Sequence, residues 1–278
     1  MGFATDYLEQ IAQLGSHLPL PRVRALHLPP LADGNRKWGE FCALELADGS
    51  LGLSYVMLDD TLERLTAARD ALGIEGADAL TVARGYAGHD PLRKTLGFAA
   101  ANAITRHFFD RAGFSPQDST DSIGGLAPGA GDHVGMIGYF APLAGRIVAS
   151  GARLTVVELR ADLAGPQPGF EITLDAARLQ DCNKVLSTST ILLNDTLDAV
   201  LGHCAGSRHL VMIGPSAGCL PDALFARGVT GFGGTWIEDR DGFVATLPSG
   251  ESWSRFARKT MLNSSNYPGA AALLARLG

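Results

Sequence analysis

The sequence predicts an α/β protein in two parts: a smaller α+β domain over residues 1–117 and a Rossmann-like domain with a parallel sheet over residues 118–278. Three observations predict it. From His133 onward, apolar runs alternate with short helical segments, as a parallel sheet covered on both faces requires. Before that, strand-like segments flank Asp48-Gly49, a strong signal for a tight hairpin. Between the two styles, residues 114–132 (FSPQDSTDSIGGLAPGAGD) have the Gly, Ser, Pro and Asp content of an inter-domain connection. A chain of 278 residues, 46% of them hydrophobic, is long and apolar enough for two cores.

Each element follows from local pattern. Phe3, Tyr7, Leu8, Ile11 and Leu14 fall on one side of a helix over 3–14. Strands follow at Val23–Leu28, Glu40–Leu46 and Leu51–Leu58. Asp59 or Asp60 caps a helix over Thr61–Leu72, and a short helix covers Ala77–Ala83. Asp90, with Pro91 behind it, starts a long helix to about Arg111. Its stretch Gly97–Ala103 is small enough for another backbone to approach closely. Asn102 within it needs a partner for its amide. In the second part, strands are predicted at His133–Phe140, Leu154–Leu159, Lys184–Thr188, His209–Gly214 and Gly231–Ile237, with a further one at Phe243–Leu247. Helices are predicted from Pro142 to about Ser150, then at Asn194–Cys204, Pro221–Arg227, Ser252–Leu262 and Gly269–Leu277.

Composition excludes several functions. The net charge is -6 and no basic block occurs, which argues against nucleic acid as a partner. The start MGFATDYLEQ lacks the basic, then apolar, order of a secretory signal, and its Asp6 breaks the myristoylation pattern. No apolar run reaches a membrane-spanning length. A soluble, cytoplasmic protein with no membrane partner is therefore expected. Cys42, Cys182, Cys204 and Cys219 form no C-x-x-C pair and read as reduced, buried thiols. The seven histidines show no metal-ligand spacing, so no preformed metal site is visible.

Candidate ligand contacts cluster at predicted strand ends. Gly138 sits where the first parallel strand yields to a helix, ahead of Tyr139 and Phe140. Glu158 follows Gly138 by twenty residues, the spacing at which a Rossmann site places an acid on a ribose diol. It reads equally as a loop cap or the partner of an arginine. The third strand ends in Ser187-Thr188-Ser189-Thr190 and runs on to Asn194 and Thr196. Such a hydroxyl-rich end contacts polar ligand atoms, caps the turn, or does both. Ser216 follows the fourth strand, but Gly214-Pro215-Ser216 is not a nucleophile elbow. Trp38, Tyr86, Tyr139 and Phe140 could wall a flat ligand or simply pack.

Four stretches in order, VGMIGYFAPL, VVEL, STSTILLNDTLDAVL and GPSAGCLPDALFARGV, together with LGFAAANA in the long helix, resemble a heavy-metal chelation family, formerly a domain of unknown function. The resemblance covers nearly the whole chain. It implies an enolase-N-terminal-like first domain, a Rossmann-like second domain and a site between them. Carried onto this chain, that site comprises Asn102, Gly138, Tyr139, Phe140, Glu158, Thr190, Asn194 and Ser216. Two departures stand out. Phe140-Ala141-Pro142 replaces F-P-P, and Asn194-Asp195-Thr196 replaces N-G-T. The second adds a carboxylate expected to favour a cation or a diol.

Three functions compete. The first is binding or processing of a metal ion or metal-containing small molecule at the interdomain cleft; the oxygen-rich candidate residues suit hard ions better than soft ones. The second is an enzyme using a nucleotide-type cofactor, S-adenosylmethionine or a dinucleotide, on a small molecule; the missing third glycine argues against ordinary NAD binding. The third is a partner-binding scaffold, since a fold of this type does not fix function. A symmetric homodimer is the expected assembly on base rates. All the functional readings need the strand-end loops and the long helix to enclose a polar cavity between Glu158 and Asn194.

Overall fold

The computed structural model describes residues 2–31 and 40–278. Trp38 lies outside the described residues. Helix α1 (Phe3–His17) buries Phe3, Tyr7, Ile11 and Leu14, the stripe its periodicity predicts. Strands β1 (Val23–His27), β2 (Phe41–Leu46) and β3 (Leu51–Tyr55) form an antiparallel sheet in that order. The β2–β3 turn is the predicted hairpin. Asp48 accepts both the N–H and the hydroxyl of Ser50, at 3.1 and 3.0 Å. Helices α2 (Thr61–Ala68) and α3 (Ala79–Ala83) lead to α4 (Pro91–Arg111). Asp90 caps α4 through the Leu92 N–H at 3.2 Å, as its sequence position implies.

Helix α4 carries no amphipathic stripe because protein surrounds it. Leu92, Leu96, Phe98, Ile104 and Phe108 are buried, and so are the small residues between them. The small residues set its distance from the sheet. A Cβ on Gly52 of β3 would lie 2.1 Å from the Ala99 carbonyl oxygen, so only glycine fits where strand meets helix.

The second sheet begins with β4 (Gln117–Asp118). There follow β5 (His133–Ile137), α5 (Ala141–Ala149), β6 (Arg153–Val157), β7 (Gly165–Gln167), β8 (Phe170–Thr173) and β9 (Lys184–Thr188). The chain continues through α6 (Leu197–Gly202), β10 (His209–Ile213), α7 (Asp222–Phe225), β11 (Gly231–Ile237), α8 (Arg240–Thr246), β12 (Ala257–Leu262) and α9 (Ala270–Leu274). Among the described residues the strand order is β4-β12-β11-β10-β9-β5-β6-β8-β7. Strands β11 through β8 in that order run parallel, and β4, β12 and β7 are antiparallel flanks. The chain starts at β5, steps to β6 on one side and later to β9 on the other. The sheet therefore has a topological switch point between β5 and β9.

Three expectations are corrected, and one element was not foreseen. Ser252–Leu262 is not a helix: residues 257–262 pair with β11, and Thr260 and Leu262 are buried at a period of two. Phe243–Leu247 is not a strand. Asp239 accepts the Gly242 N–H at 2.9 Å and starts α8, which with the turn after it buries Phe243 and Leu247 four residues apart. Residues 114–132 are not a free connection, since Gln117–Asp118 pairs with β12 and Ile123 and Leu126 are buried in a core. The β7–β8 hairpin has no counterpart in the sequence reading. Its Gly165 and Pro166 look like loop residues, and Pro is tolerated there because β7 is an edge.

The two sheets share their packing. One hydrophobic cluster joins Phe3 and Phe98 to Ile191, Leu220 and Leu273. The face of β2 and β3 turned away from α4 carries Phe41, Ala43 and Leu53, and it packs on Ile237, Phe243, Leu247 and Trp253. Glu45 lies fully buried on β2. Arg24, His27 and Arg240 reach its carboxylate at 3.1, 2.8 and 2.8 Å. Burial opposes its ionisation, but the bonds from Arg240 and His27 prevail and hold its pKa below the ordinary value. A buried carboxylate needs such partners, and here they tie α8 to the first sheet.

Candidate functional site

The carboxyl ends of β5, β6, β9 and β10 carry the candidate residues to one edge of the parallel sheet. Gly138 ends β5 with φ of +80°, a conformation that favours glycine, and its N–H donates to Val157 O at 2.9 Å. A Cβ there would lie 2.9 Å from Thr188 Cγ2, so the ends of β5 and β9 meet at this glycine. Tyr139 and Phe140 follow, half-buried, and the Tyr139 ring packs 6.0 Å from that of Phe170 on β8.

Glu158 lies just past β6 and holds two turns together. Its Oε2 accepts the Tyr139 N–H at 2.9 Å, and its Oε1 accepts those of Leu159 and Arg160 at 2.8 and 3.3 Å. Its charge also reaches Tyr55 at the end of β3. Burial, and then the charges of Glu40 and Glu158, push the Tyr55 hydroxyl pKa above its ordinary value. Tyr55 and Glu40 were not singled out from sequence, and nothing local marks them.

Thr190 accepts a hydrogen bond from Thr188 Oγ1 at 3.1 Å. Asn194 holds its own turn: its Oδ1 accepts the N–H and hydroxyl of Thr196, at 3.2 and 2.6 Å. Asp195 has φ of +59°, a conformation glycine adopts without strain. Lys94, largely buried on α4, pairs with its carboxylate. The extra carboxylate is thus paired within the chain, with most of its side chain facing solvent.

Asn102 and Ser216 belong to the interior. The Asn102 amide donates to Leu53 O at 2.9 Å and Ser216 O at 3.1 Å, and its Oδ1 accepts the Tyr7 hydroxyl at 3.1 Å. Ser216 is buried, with its hydroxyl 3.1 Å from that of Ser189. The partner that Asn102 requires is thus the fold itself. Tyr86 also packs: its hydroxyl bonds Leu192 O and its ring lies 4.9 Å from that of Phe98.

The cavity differs from the expected one. A space of about 40 Å³ lies between β3, α4, β11, β12 and the loop after β10, lined by Asn102, Arg106, Cys219, Thr235, Trp236 and Thr260 among others. It is large enough for ordered water. Glu158 and Asn194 are not among its walls. A more open hollow of about 460 Å³ sits at the other end of β3 from Tyr55, with Arg24, Arg106 and Arg240 facing Asp48, Asp110 and Asp241.

Among the described residues, no three His, Cys, Asp or Glu side chains are grouped so as to hold a metal ion. The four cysteines are buried. Burial pushes the thiols of Cys42 and Cys204 up to about 12 and that of Cys182 up to about 11, and raises Cys219 as well. None is a ready thiolate.

Comparison with known proteins places this arrangement. A family model for DUF364, described as "Putative heavy-metal chelation", matches residues 125–266. The chain belongs to this family. A second model with the same description, DUF4213, matches residues 39–105. The resemblance read from the sequence motifs is thus borne out over both parts of the chain. An uncharacterized protein of Methanocaldococcus jannaschii is 24% identical over 235 residues, covering 77% of this chain and 83% of that protein. A DUF364 crystal structure from Desulfitobacterium hafniense, of unknown function, superposes with a TM-score of 0.67 at 17% identity, covering 95% of this chain and 98% of that one. One from Pyrococcus horikoshii, also of unknown function, gives 0.67 at 18% identity, covering 94% and 100%. These likenesses establish a shared mixed α/β fold for this DUF364 protein. None of its described helices is long and apolar enough to cross a membrane.

Proposed function

We propose that this DUF364 protein binds a metal-containing small molecule at the cleft between the strand-end edge of the second sheet and the end of β3. In this reading residues 1–117 form an enolase-N-terminal-like domain and residues 118–278 a Rossmann-like one. The observation that carries it is the meeting of the β5, β6 and β9 ends around Gly138 and Glu158, beside a topological switch point. The family description supplies the metal. The donor chemistry supplies the form. The buried thiols and the lack of a three-ligand cluster among the described residues disfavour capture of a naked soft ion. A metal already held by an organic chelator needs only wall and hydrogen-bond contacts, which Tyr139, Phe140, Glu158 and Thr190 offer.

The alternative of a nucleotide-type cofactor rests on Glu158 as the ribose acid. Its oxygens are engaged by three backbone N–H groups, which weakens that reading without removing their remaining acceptor capacity.

Equilibrium dialysis with nickel, copper and zinc, each alone and as its citrate complex, tests the proposal. The expected result is saturable binding of a complex, weakened about tenfold by Thr190→Val, a loss of about 1.4 kcal/mol. No saturable binding in any form, or equal binding of the bare ions, overturns it.

A further inference from the structure

A parallel α/β sheet ordinarily receives anionic ligand groups at the turn after its first strand, where the backbone N–H groups of the following helix point outward. Here a side chain of the same protein already occupies donors of that turn. Glu158 takes the Tyr139 N–H at 2.9 Å, and from its own side those of Leu159 and Arg160 at 2.8 and 3.3 Å. Several neighbouring donors are engaged too. The Phe140 N–H faces Met136 Sδ at 3.5 Å, the Leu143 N–H donates to Phe140 O at 2.9 Å, and Pro142 has no N–H. The charges nearby do not invite an anion either. Glu40 and Glu158 both act on Tyr55, and Arg160 is held by Asp162 at 2.6 Å.

We infer that Glu158 is a specificity-determining residue: a built-in anion that fills the first strand-end turn, excludes phosphate-bearing ligands and leaves the cleft to neutral or cationic groups. The inference rests on the cleft reading above only in taking this edge as the place where ligands arrive.

The test is a titration without metal, using inorganic pyrophosphate and acetate as probes. Calorimetry on the wild-type protein should show no saturable pyrophosphate binding at millimolar concentration. Glu158→Ala frees three N–H groups and should bind pyrophosphate at least about tenfold more tightly than wild type. Acetate, refilling the vacated carboxylate position, should raise the melting temperature of Glu158→Ala and leave that of the wild type unchanged. Should Glu158→Ala fail to fold, Glu158→Gln, which keeps the shape and removes the charge, carries the same pyrophosphate titration and the same expected direction. Saturable pyrophosphate binding by the wild type overturns the inference, and so does the lack of any gain in a folded variant. Because no metal is present, a failure to bind metal complexes in dialysis leaves this result intact.

Discussion

The interior beneath α4 and the rim at the strand ends both hold polar side chains, but they satisfy them differently. Beneath α4, Asn102 uses both amide hydrogens and its oxygen on Leu53, Ser216 and Tyr7, so three segments distant in sequence are fastened at one buried point. At the rim, Glu158 is held by backbone N–H groups, and its Oε2, with one of them, keeps acceptor capacity. A buried amide with every bond made inside the fold is part of the architecture. A half-buried carboxylate held by neighbouring turns can both shape a cleft and meet what enters it. The proposed site therefore draws on the rim, while Asn102 and Ser216 hold the interior together.

The sharpest way to break the comparison is to disturb the interior. Gly52→Ala places a methyl against the Ala99 carbonyl and should cost at least about 3 kcal/mol in denaturant unfolding, or prevent folding. Asn102→Ala leaves the Leu53 and Ser216 carbonyls without their donor and should cost about 2 kcal/mol by the same measurement. A variant that loses ligand binding at unchanged stability would return Asn102 to the binding site.

A smaller effect is expected at Asp48, between hairpin and helix. Burial opposes its ionisation, but bonds from His107 and Ser50 hold its carboxyl at about 2, below the ordinary 3.8. A lowered folded-state value means that its contribution is present above the unfolded value and lost as pH falls through the folded one. Stability should therefore drop between about pH 4 and pH 2, by about 1 kcal/mol after allowing for its 35% exposure, and Asp48→Asn should flatten that part of the profile. An equally steep profile in the variant would remove the role.

The smallest effect is no reaction at all. A thiol reagent at mild alkaline pH should label none of the four cysteines in the native protein and all four in denaturant. Rapid native labelling of Cys219 would show that the cavity beside Asn102 opens to solvent.

Much of this molecule was legible because its signals are local. The α1 stripe, the Asp48-Gly49 turn, the Asp90-Pro91 start of α4 and five of the six parallel strands all follow from periodicity and capping within a few residues. The errors arose where a distant partner decides. Residues 257–262 are a strand because β11 offers its edge. Residues 117–126, inside the Gly- and Pro-rich stretch 114–132, are ordered because β12 pairs with them and a core accepts Ile123 and Leu126. Asp239 was a readable cap for α8 that the apolar run at 243–247 obscured.

The same division holds at the site. Sequence by itself determined the residue types at each strand end, Gly138, Glu158, Thr190 and Ser216, because a strand followed by a turn is written in consecutive residues. Only the tertiary structure decided that Glu158 closes onto Tyr139, that Asp195 pairs with Lys94, and that Asn102 and Ser216 face inward. Hydrogen-bond capacity is assigned by what packs nearby, and those neighbours come from segments that the order of residues does not bring together.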